Sequence, residues 1–230
     1  MTYFTSLLVF AFRGVLEGME KTKNLKIPEV TIRRLSAYLR CLSTMHEREE
    51  KVVSSSTLAK NCGVNAAQVR KDLAYFGKFG IRGVGYYVDD LYRDIRKILG
   101  IDRVWKMALF GVGNLGTALL SYKDFLRQNY RVAVAFDIDP RKLEMKSVEG
   151  VPLYHLDTLQ KIAKNKKIDI AIITTPVSQA QNVVDRVVQA NIRGILNFAP
   201  VHLNVPENVF VKDVFFTNVL DNLVYLLCQT

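Results

Sequence analysis

Between Lys106 and Phe125 the chain reads KMALFGVGNLGTALLSYKDF. An apolar run of strand character meets a helical pattern across three glycines, Gly111, Gly113 and Gly116. In a strand-turn-helix each has its own task. The first makes the tight turn, the second lets backbone approach a pyrophosphate, and the third lets helix and strand pack closely. The helix N-terminus adds free N–H groups and the positive end of its dipole. Gly111, Val112, Gly113, Asn114, Leu115 and Gly116 are therefore the expected phosphate cradle. Asp137 closes RVAVAFD, 21 residues after Gly116. A carboxylate there accepts hydrogen bonds from an adenosine ribose and repels a 2′-phosphate. The expected cofactor is NAD(H) rather than NADP(H). Coenzyme A shares the adenosine diphosphate part and stays open as an alternative.

From Trp105 onward, apolar runs alternate with helical patterns: KMALF, RVAVAFD, IDIAIITT, then PVSQAQNVVDRVVQA, GILNF and NVFVKDVFF. Near-continuous apolar strands between helices indicate a parallel sheet covered on both faces. Ligands of such sheets bind outside the carboxyl ends of the strands. Thr174, Thr175 and Pro176 stand at one such end, and Asn197, Phe198 and Pro200 at another. Both loops suit the nicotinamide half, and each serves equally as an ordinary strand-to-helix turn. The last run, TNVLDNLVYLLCQT, is an amphipathic helix with Val219, Leu220, Leu223, Leu226 and Leu227 on one stripe.

The first third has a different texture. Ile32, Leu35, Tyr38, Leu39, Leu42 and Met45 recur at helical spacing, with Pro28 suited to the first turn. SSTLAKNCGVNAAQVRKDLAYF, Ser55 to Phe76, reads as two short helices around a tight turn. Ala59 allows a close crossing, Gly63 takes the turn where φ > 0 is cheapest, and Val69 fills the angle between the helices. Asn65 can cap the second helix. Docked in a major groove, that helix would offer Gln68 to a base edge and Arg70 or Lys71 to guanine or phosphate. Phe79 to Val88, FGIRGVGYYV, reads as a glycine-punctuated hairpin. With Lys78 before it and Arg82 at its tip it forms a wing suited to a minor groove. VDDLYRDIRKILG then reads as a helix capped by Asp and ended by Gly100.

Charge agrees with this division. The net charge is +10. Met19 to Gly100 holds 16 Lys and Arg against 9 Asp and Glu, and Ile101 to Thr230 holds 15 against 12. A basic excess in the first part points toward a polyanion, though a merely solvated basic surface explains it as well. Cys41, Cys62 and Cys228 are far apart in sequence, which predicts reduced, buried thiols in a cytoplasmic protein. His46, His155 and His202 are scattered, so no metal is expected. No apolar run reaches the ~18 residues of a membrane span. Residues 1–24 are read as an N-terminal extension, with Met19 the expected start of translation. The remaining divisions are 25–100, a winged-helix domain; 101–214, a Rossmann-type domain; and 215–230, a dimerisation helix. No Tyr-x-x-x-Lys pair or substrate domain accompanies the glycine turn. The dinucleotide is expected to be a signal that is read, not a co-substrate. A small oxidoreductase with an accessory DNA-binding domain is the rival.

KIPEVTIRRLSAYLR, VSSSTLAKNCGVNAAQVRKDLAYFGKFGIRGVGYYV, FGVGNLGTAL, AFDIDPRK and GILNFAPV together resemble the Rex family of redox-sensing transcriptional repressors. The resemblance runs from about Lys26 to Leu227. It implies a winged helix-turn-helix followed by a doubly wound Rossmann-type α/β domain and a C-terminal helix swapped between subunits. It implies a homodimer on a palindromic double-stranded operator, released by NADH and permitted by NAD+. The implied DNA-facing residues are Ser56, Gln68, Arg70, Lys71, Tyr75, Lys78, Arg82, Gly83, Gly85 and Tyr86. Phe216 matches an apolar residue near the nicotinamide. Arg40 and Tyr122 match two members of an interdomain polar switch. Its third member is an Asp in Val-Asp-Leu/Phe-Ser/Thr. Here that segment is Val214-Phe215-Phe216-Thr217, so the carboxylate is missing.

Overall fold

The computed structural model describes residues 27–229. The expected extension 1–24 and the start at Met19 lie outside them. The chain divides into two compact units between Asp102 and Arg103.

The first unit opens with α1 (Glu29–Glu47). Pro28 is its N-cap, one residue before the first turn in which it was expected. Leu35, Tyr38, Leu39, Leu42 and Met45 form its buried stripe. After β1 (Val52–Val53), α2 (Ser55–Asn61) and α3 (Ala66–Ala74) make the helix-turn-helix. Ser54 Oγ accepts from the Thr57 N–H at 3.0 Å, and Asn65 Oδ1 from the Gln68 N–H at 2.8 Å. Each cap satisfies a backbone donor that the helix itself cannot. Gly63 has φ +65°, and Ala59 and Val69 are buried. The spacing read from the sequence is thus the steric frame of the turn.

The wing differs from the expected hairpin. β2 (Tyr86–Tyr87) pairs antiparallel with β1, far upstream, as Val52↔Tyr87 and Val53↔Tyr86. Inside Phe79–Val88 there is a single bridge, Ile81↔Gly85. Gly80, Gly83 and Gly85 all have positive φ, which curls this segment into a tip instead of two flanking strands. α4 (Val88–Ile98) follows directly. Its N-cap is Tyr87, with no side-chain cap. Asp89 and Asp90 lie in the first turn and act on the helix dipole rather than as the expected cap.

The second unit runs β3 (Trp105–Phe110), α5 (Asn114–Leu120), α6 (Asp124–Arg127), β4 (Tyr130–Asp137), α7 (Pro140–Leu143), β5 (Ser147–Val148) and β6 (Val151–His155). It continues with α8 (Leu159–Lys166), β7 (Ile170–Ile173), α9 (Val177–Gln189), β8 (Gly194–Asn197), β9 (Phe210–Asp213) and α10 (Phe216–Leu227). The sheet order is β5-β6-β4-β3-β7-β8-β9. Every pair is parallel except the β5–β6 edge. The chain builds outward from β3 in one direction, then returns to build in the other. The crevice between the ends of β3 and β7 is that reversal point, where such sheets take ligands. Side-chain alternation explains the unbroken apolar strands. Ala108 and Phe110 face one core, and Met107 and Leu109 the other. The β5–β6 hairpin was not foreseen: VPLYH is short and interrupted by Pro152. By contrast, the stripe of α10 is exposed among the described residues, Val219 being 70% exposed.

Candidate nucleotide cleft and nucleic-acid face

The glycine turn is pinned at both ends and open at its centre. Gly111 has φ +94°, and its N–H donates to the Phe136 carbonyl at 2.9 Å. A Cβ there would sit 2.9 Å from Thr175 Cγ2 and 3.0 Å from the Thr174 carbonyl. A Cβ on Gly116 would strike the Gly111 carbonyl oxygen. Around Gly113 nothing lies within 4 Å of such an atom, so its backbone faces free space. Thr174 Oγ1 lies 2.9 and 2.8 Å from the Phe110 and Gly111 carbonyls, tying the β7 end to the turn. Thr175 Oγ1 is buried and has no hydrogen-bond partner among the described residues. An orphaned buried hydroxyl is rare enough in proteins to require a reason.

Asp137 ends β4 beside this turn. Its Oδ2 accepts from the Val112 N–H at 2.7 Å and Lys142 Nζ at 3.0 Å. Its Oδ1 accepts from the N–H groups of Ile138 and Asp139 at 2.8 and 3.0 Å. Burial pushes this carboxyl up, but the hydrogen bonds from Asp139, Lys142, Val112 and Ile138 outweigh it and hold the group below the ordinary range. Asp137 is thus an anion at neutral pH with both oxygens in use. The most mobile of its partners is Lys142, on a long side chain one third exposed.

A cavity of about 620 Å³ opens at these strand ends. Gly111, Gly113, Asp137, Thr174, Thr175 and Pro176 line it, together with residues the sequence reading did not single out: Lys142, Asp157, Gln179, Asn182 and Arg186. Only AFDIDPRK carried a local signal, placing Lys142 five residues after Asp137. Asp157 and Arg186 come from distant elements and meet at 2.7 Å on the wall. That hydrogen bond holds Asp157 below the usual carboxylate range.

Other expected residues lie off this lining. Val112 is buried in the core and contributes its N–H to Asp137. Asn114 and Leu115 open α5, and Gly116 packs behind the turn. Asn197 is fully buried and its polar atoms are spent internally. Its amide donates to the Val201 carbonyl at 3.0 Å and to Asp213 Oδ1 at 2.8 Å, and its Oδ1 accepts from the Ala199 N–H at 2.9 Å. It braces the β8 end, where a ligand contact was expected. Pro200 is exposed. Phe198 and Phe216 have ring centroids 6.4 Å apart. Arg40 is exposed on α1. Tyr122 is exposed and donates to Asp124 Oδ2 at 3.2 Å.

In the first unit, Arg70, Arg82, Gly83, Gly85 and Tyr86 border one hollow of about 450 Å³ between α3 and the wing. Ser56, Lys71 and Lys78 are exposed outside its lining, and Tyr75 is half-buried. Arg70 Nη1 donates to Ser55 Oγ at 2.8 Å. Gln68 Nε2 donates to Asp72 Oδ1 at 2.8 Å, which fixes its direction. Tyr86 departs from its expected place on the DNA surface. It is 7% exposed and packs under the wing, where a Cβ on Gly80 would collide with its ring. Among the described residues no cluster of three or more His, Cys, Asp or Glu is placed to hold a metal ion. No helix among them is long and apolar enough to cross a membrane.

The redox-sensing transcriptional repressor Rex of Syntrophobacter fumaroxidans is 48% identical over 202 residues, 88% of this chain and 96% of the relative. This chain belongs to the Rex family. Two family models match within it: "Putative DNA-binding protein N-terminus" over residues 26–74 and "CoA binding domain" over 102–201. The solved structure of RSP in complex with β-NAD+ and operator DNA is similar at TM-score 0.84 and 36% identity, covering 88% of this chain and 93% of that one. RSP in complex with β-NADH matches at TM-score 0.79 and 34% identity, covering 90% and 96%. The Rex architecture is the one seen here, a DNA-binding helical domain followed by a Rossmann-type domain built on a mostly parallel sheet.

Proposed function

We propose that this chain is an NADH/NAD+-responsive repressor. NAD(H) occupies the cleft of the second unit, a homodimer grips a palindromic operator with α3 and the wing, and NADH releases it while NAD+ permits binding. The observation that carries this reading is the open Gly113 backbone, the Asp137 anion and the orphaned Thr175 hydroxyl converging at one strand-end crevice. The glycine turn would hold the pyrophosphate and Asp137 the adenosine ribose. Both Asp137 oxygens are already engaged, so Lys142 yields when the ribose arrives. Thr175 Oγ1 would gain the partner it lacks. The bound group supplies two forms that differ by one hydride and by the charge of the nicotinamide ring. A ligand changes DNA affinity only by binding the DNA-ready and released dimers unequally. Phe198 and Phe216 would form the apolar wall on the nicotinamide side. With Phe215 in place of the family's carboxylate, discrimination proceeds without that member of the switch. The exposed α10 stripe would be covered by a second copy, since an apolar face of that length is poorly tolerated in water.

Fluorescence anisotropy on an AT-rich palindromic duplex, titrated with NADH and then NAD+ at fixed salt, tests the proposal. Release by NADH alone is expected. Tight binding indifferent to both would sink it. Steady NADH turnover with a diffusible acceptor would favour the oxidoreductase reading instead. Coenzyme A remains a second ligand because the matching model bears its name. The phosphate on its ribose would face the Asp137 carboxylate, which disfavours it. Failure of coenzyme A to displace NADH is the expected result.

A further inference from the structure

Cys41 and Cys62 are 21 residues apart in sequence, yet the fold of the first unit brings their sulfurs within 2.9 Å. This corrects the expectation of separate buried thiols. Both are half-buried, so a small oxidant can reach them, whereas Cys228, in the second unit, is exposed. Cys41 lies on α1, and Cys62 is the C-cap of α2, immediately before the Gly63 turn. We propose that Cys41 and Cys62 form a peroxide-reactive dithiol that closes to a reversible disulfide joining α1 to the turn of the helix-turn-helix.

The chemistry balances with a hydroperoxide as the oxidant. A Cys41 thiolate attacks one peroxide oxygen, the O–O bond breaks, and the departing oxygen takes a proton. With hydrogen peroxide it leaves as water. Cys41 is then a sulfenic acid. Cys62 sulfur attacks Cys41 sulfur, the S–O bond breaks, and hydroxide leaves with the Cys62 proton as a second water. Two thiols have lost two electrons and the peroxide has gained them. Cys62 suits the second role. Burial, with the adjacent Cys41, pushes its thiol up.

Geometry also explains what the pair accomplishes. The sulfurs need to close from 2.9 Å to about 2.0 Å, a movement of about one ångström. Without a resolving partner, Cys41 would climb to an anionic sulfinate. Cys41 Sγ lies 3.7 Å from the Asn61 carbonyl and Cys62 Sγ 3.8 Å from the Ala37 carbonyl. A sulfinate would bring two further oxygens into this half-buried space. The disulfide spares the DNA-binding unit that lesion.

Treating the full-length protein with hydrogen peroxide, alkylating what remains and mapping peptides without reductant tests this. Expected are a loss of two hydrogen atoms, a joined Cys41–Cys62 peptide, alkylated Cys228 and full reversal by dithiothreitol. The oxidised protein should melt several degrees higher than the reduced one, because the unfolded chain is cross-linked. Cys62→Ser should instead collect two oxygens on Cys41 and melt lower after treatment. Joined peptides containing Cys228, or Cys41 and Cys62 both recovered alkylated in the wild type, would overturn the proposal whatever the variant does.

Discussion

Arg34 grips Asp72 with both prongs of its guanidinium: Nε reaches Oδ2 at 2.6 Å and Nη2 reaches Oδ1 at 2.7 Å. Tyr38 hydroxyl adds a hydrogen bond to Oδ2 at 2.7 Å and Gln68 one to Oδ1 at 2.8 Å. Asp72 has no exposure at all. It sits on α3, while Arg34 and Tyr38 sit on α1, so the carboxylate sets where the proposed recognition helix lies. Asp72→Asn keeps the shape but leaves Arg34 facing a neutral amide. Arg34 is itself 24% exposed, so water screens part of the loss, and the cost is about 1–3 kcal/mol. Urea unfolding followed by circular dichroism should show that loss, and a midpoint equal to wild type would remove the pair from the stability of the unit.

The same carboxylate makes the first unit acid-sensitive. Burial pushes the Asp72 carboxyl up, but hydrogen bonds from Arg34, Tyr38 and Gln68 prevail and the group ends below the ordinary range. A carboxylate depressed in the folded state contributes stability that is fully present above the unfolded value of about 3.9. That stability is lost as pH falls through the folded value. Wild-type stability should therefore decline below about pH 4, and Asp72→Asn should show a shallower acid limb. Parallel acid limbs in the two proteins would contradict this.

Gly116→Ala tests the rear of the glycine turn. The added Cβ meets the Gly111 carbonyl oxygen, a backbone atom that cannot step aside without moving the turn. Overpacking of this kind costs about 1–3 kcal/mol. NADH affinity should drop with it, whereas Gly113→Ala meets no atom within 4 Å in the free protein and should fold normally. Isothermal titration of both variants separates the two effects. Normal NADH binding by Gly116→Ala would show that the turn tolerates the shift.

Asp137→Ala removes the proposed ribose acceptor and leaves Lys142 without it. DNA binding by the ligand-free protein should persist while the NADH titration is blunted by tenfold or more, about 1.4 kcal/mol. An unaltered titration would take Asp137 out of the site.

On the DNA side, Arg82→Ala and Lys71→Ala should each weaken duplex binding and lower the salt dependence by about one counterion. Both residues are exposed, and neither should change NADH affinity. Unchanged duplex affinity in both variants would relocate the DNA face.

The sequence by itself determined the local elements whose reasons are local. Gly63, Asn65, Ala59 and Val69 announce a helix-turn-helix because turn, cap and crossing each demand one residue type within a few positions. Gly111, Gly113 and Gly116 announce the strand-turn-helix in the same way, and Asp137 the end of the next strand beside it, because strand and helix lengths set that spacing. Tertiary structure decided what depends on residues far apart in the chain. It paired β2 with β1 and limited the fold-back inside Phe79–Val88 to the one Ile81↔Gly85 bridge, since positive-φ glycines form a tip more readily than two strands. It spent Asn197 on bracing a loop and put Tyr86 beneath the wing. It brought Asp157 to Arg186, Arg34 to Asp72 and Cys41 to Cys62. No periodicity or motif encodes those meetings, because helices and strands repeat over a few residues while these contacts depend on how whole elements pack.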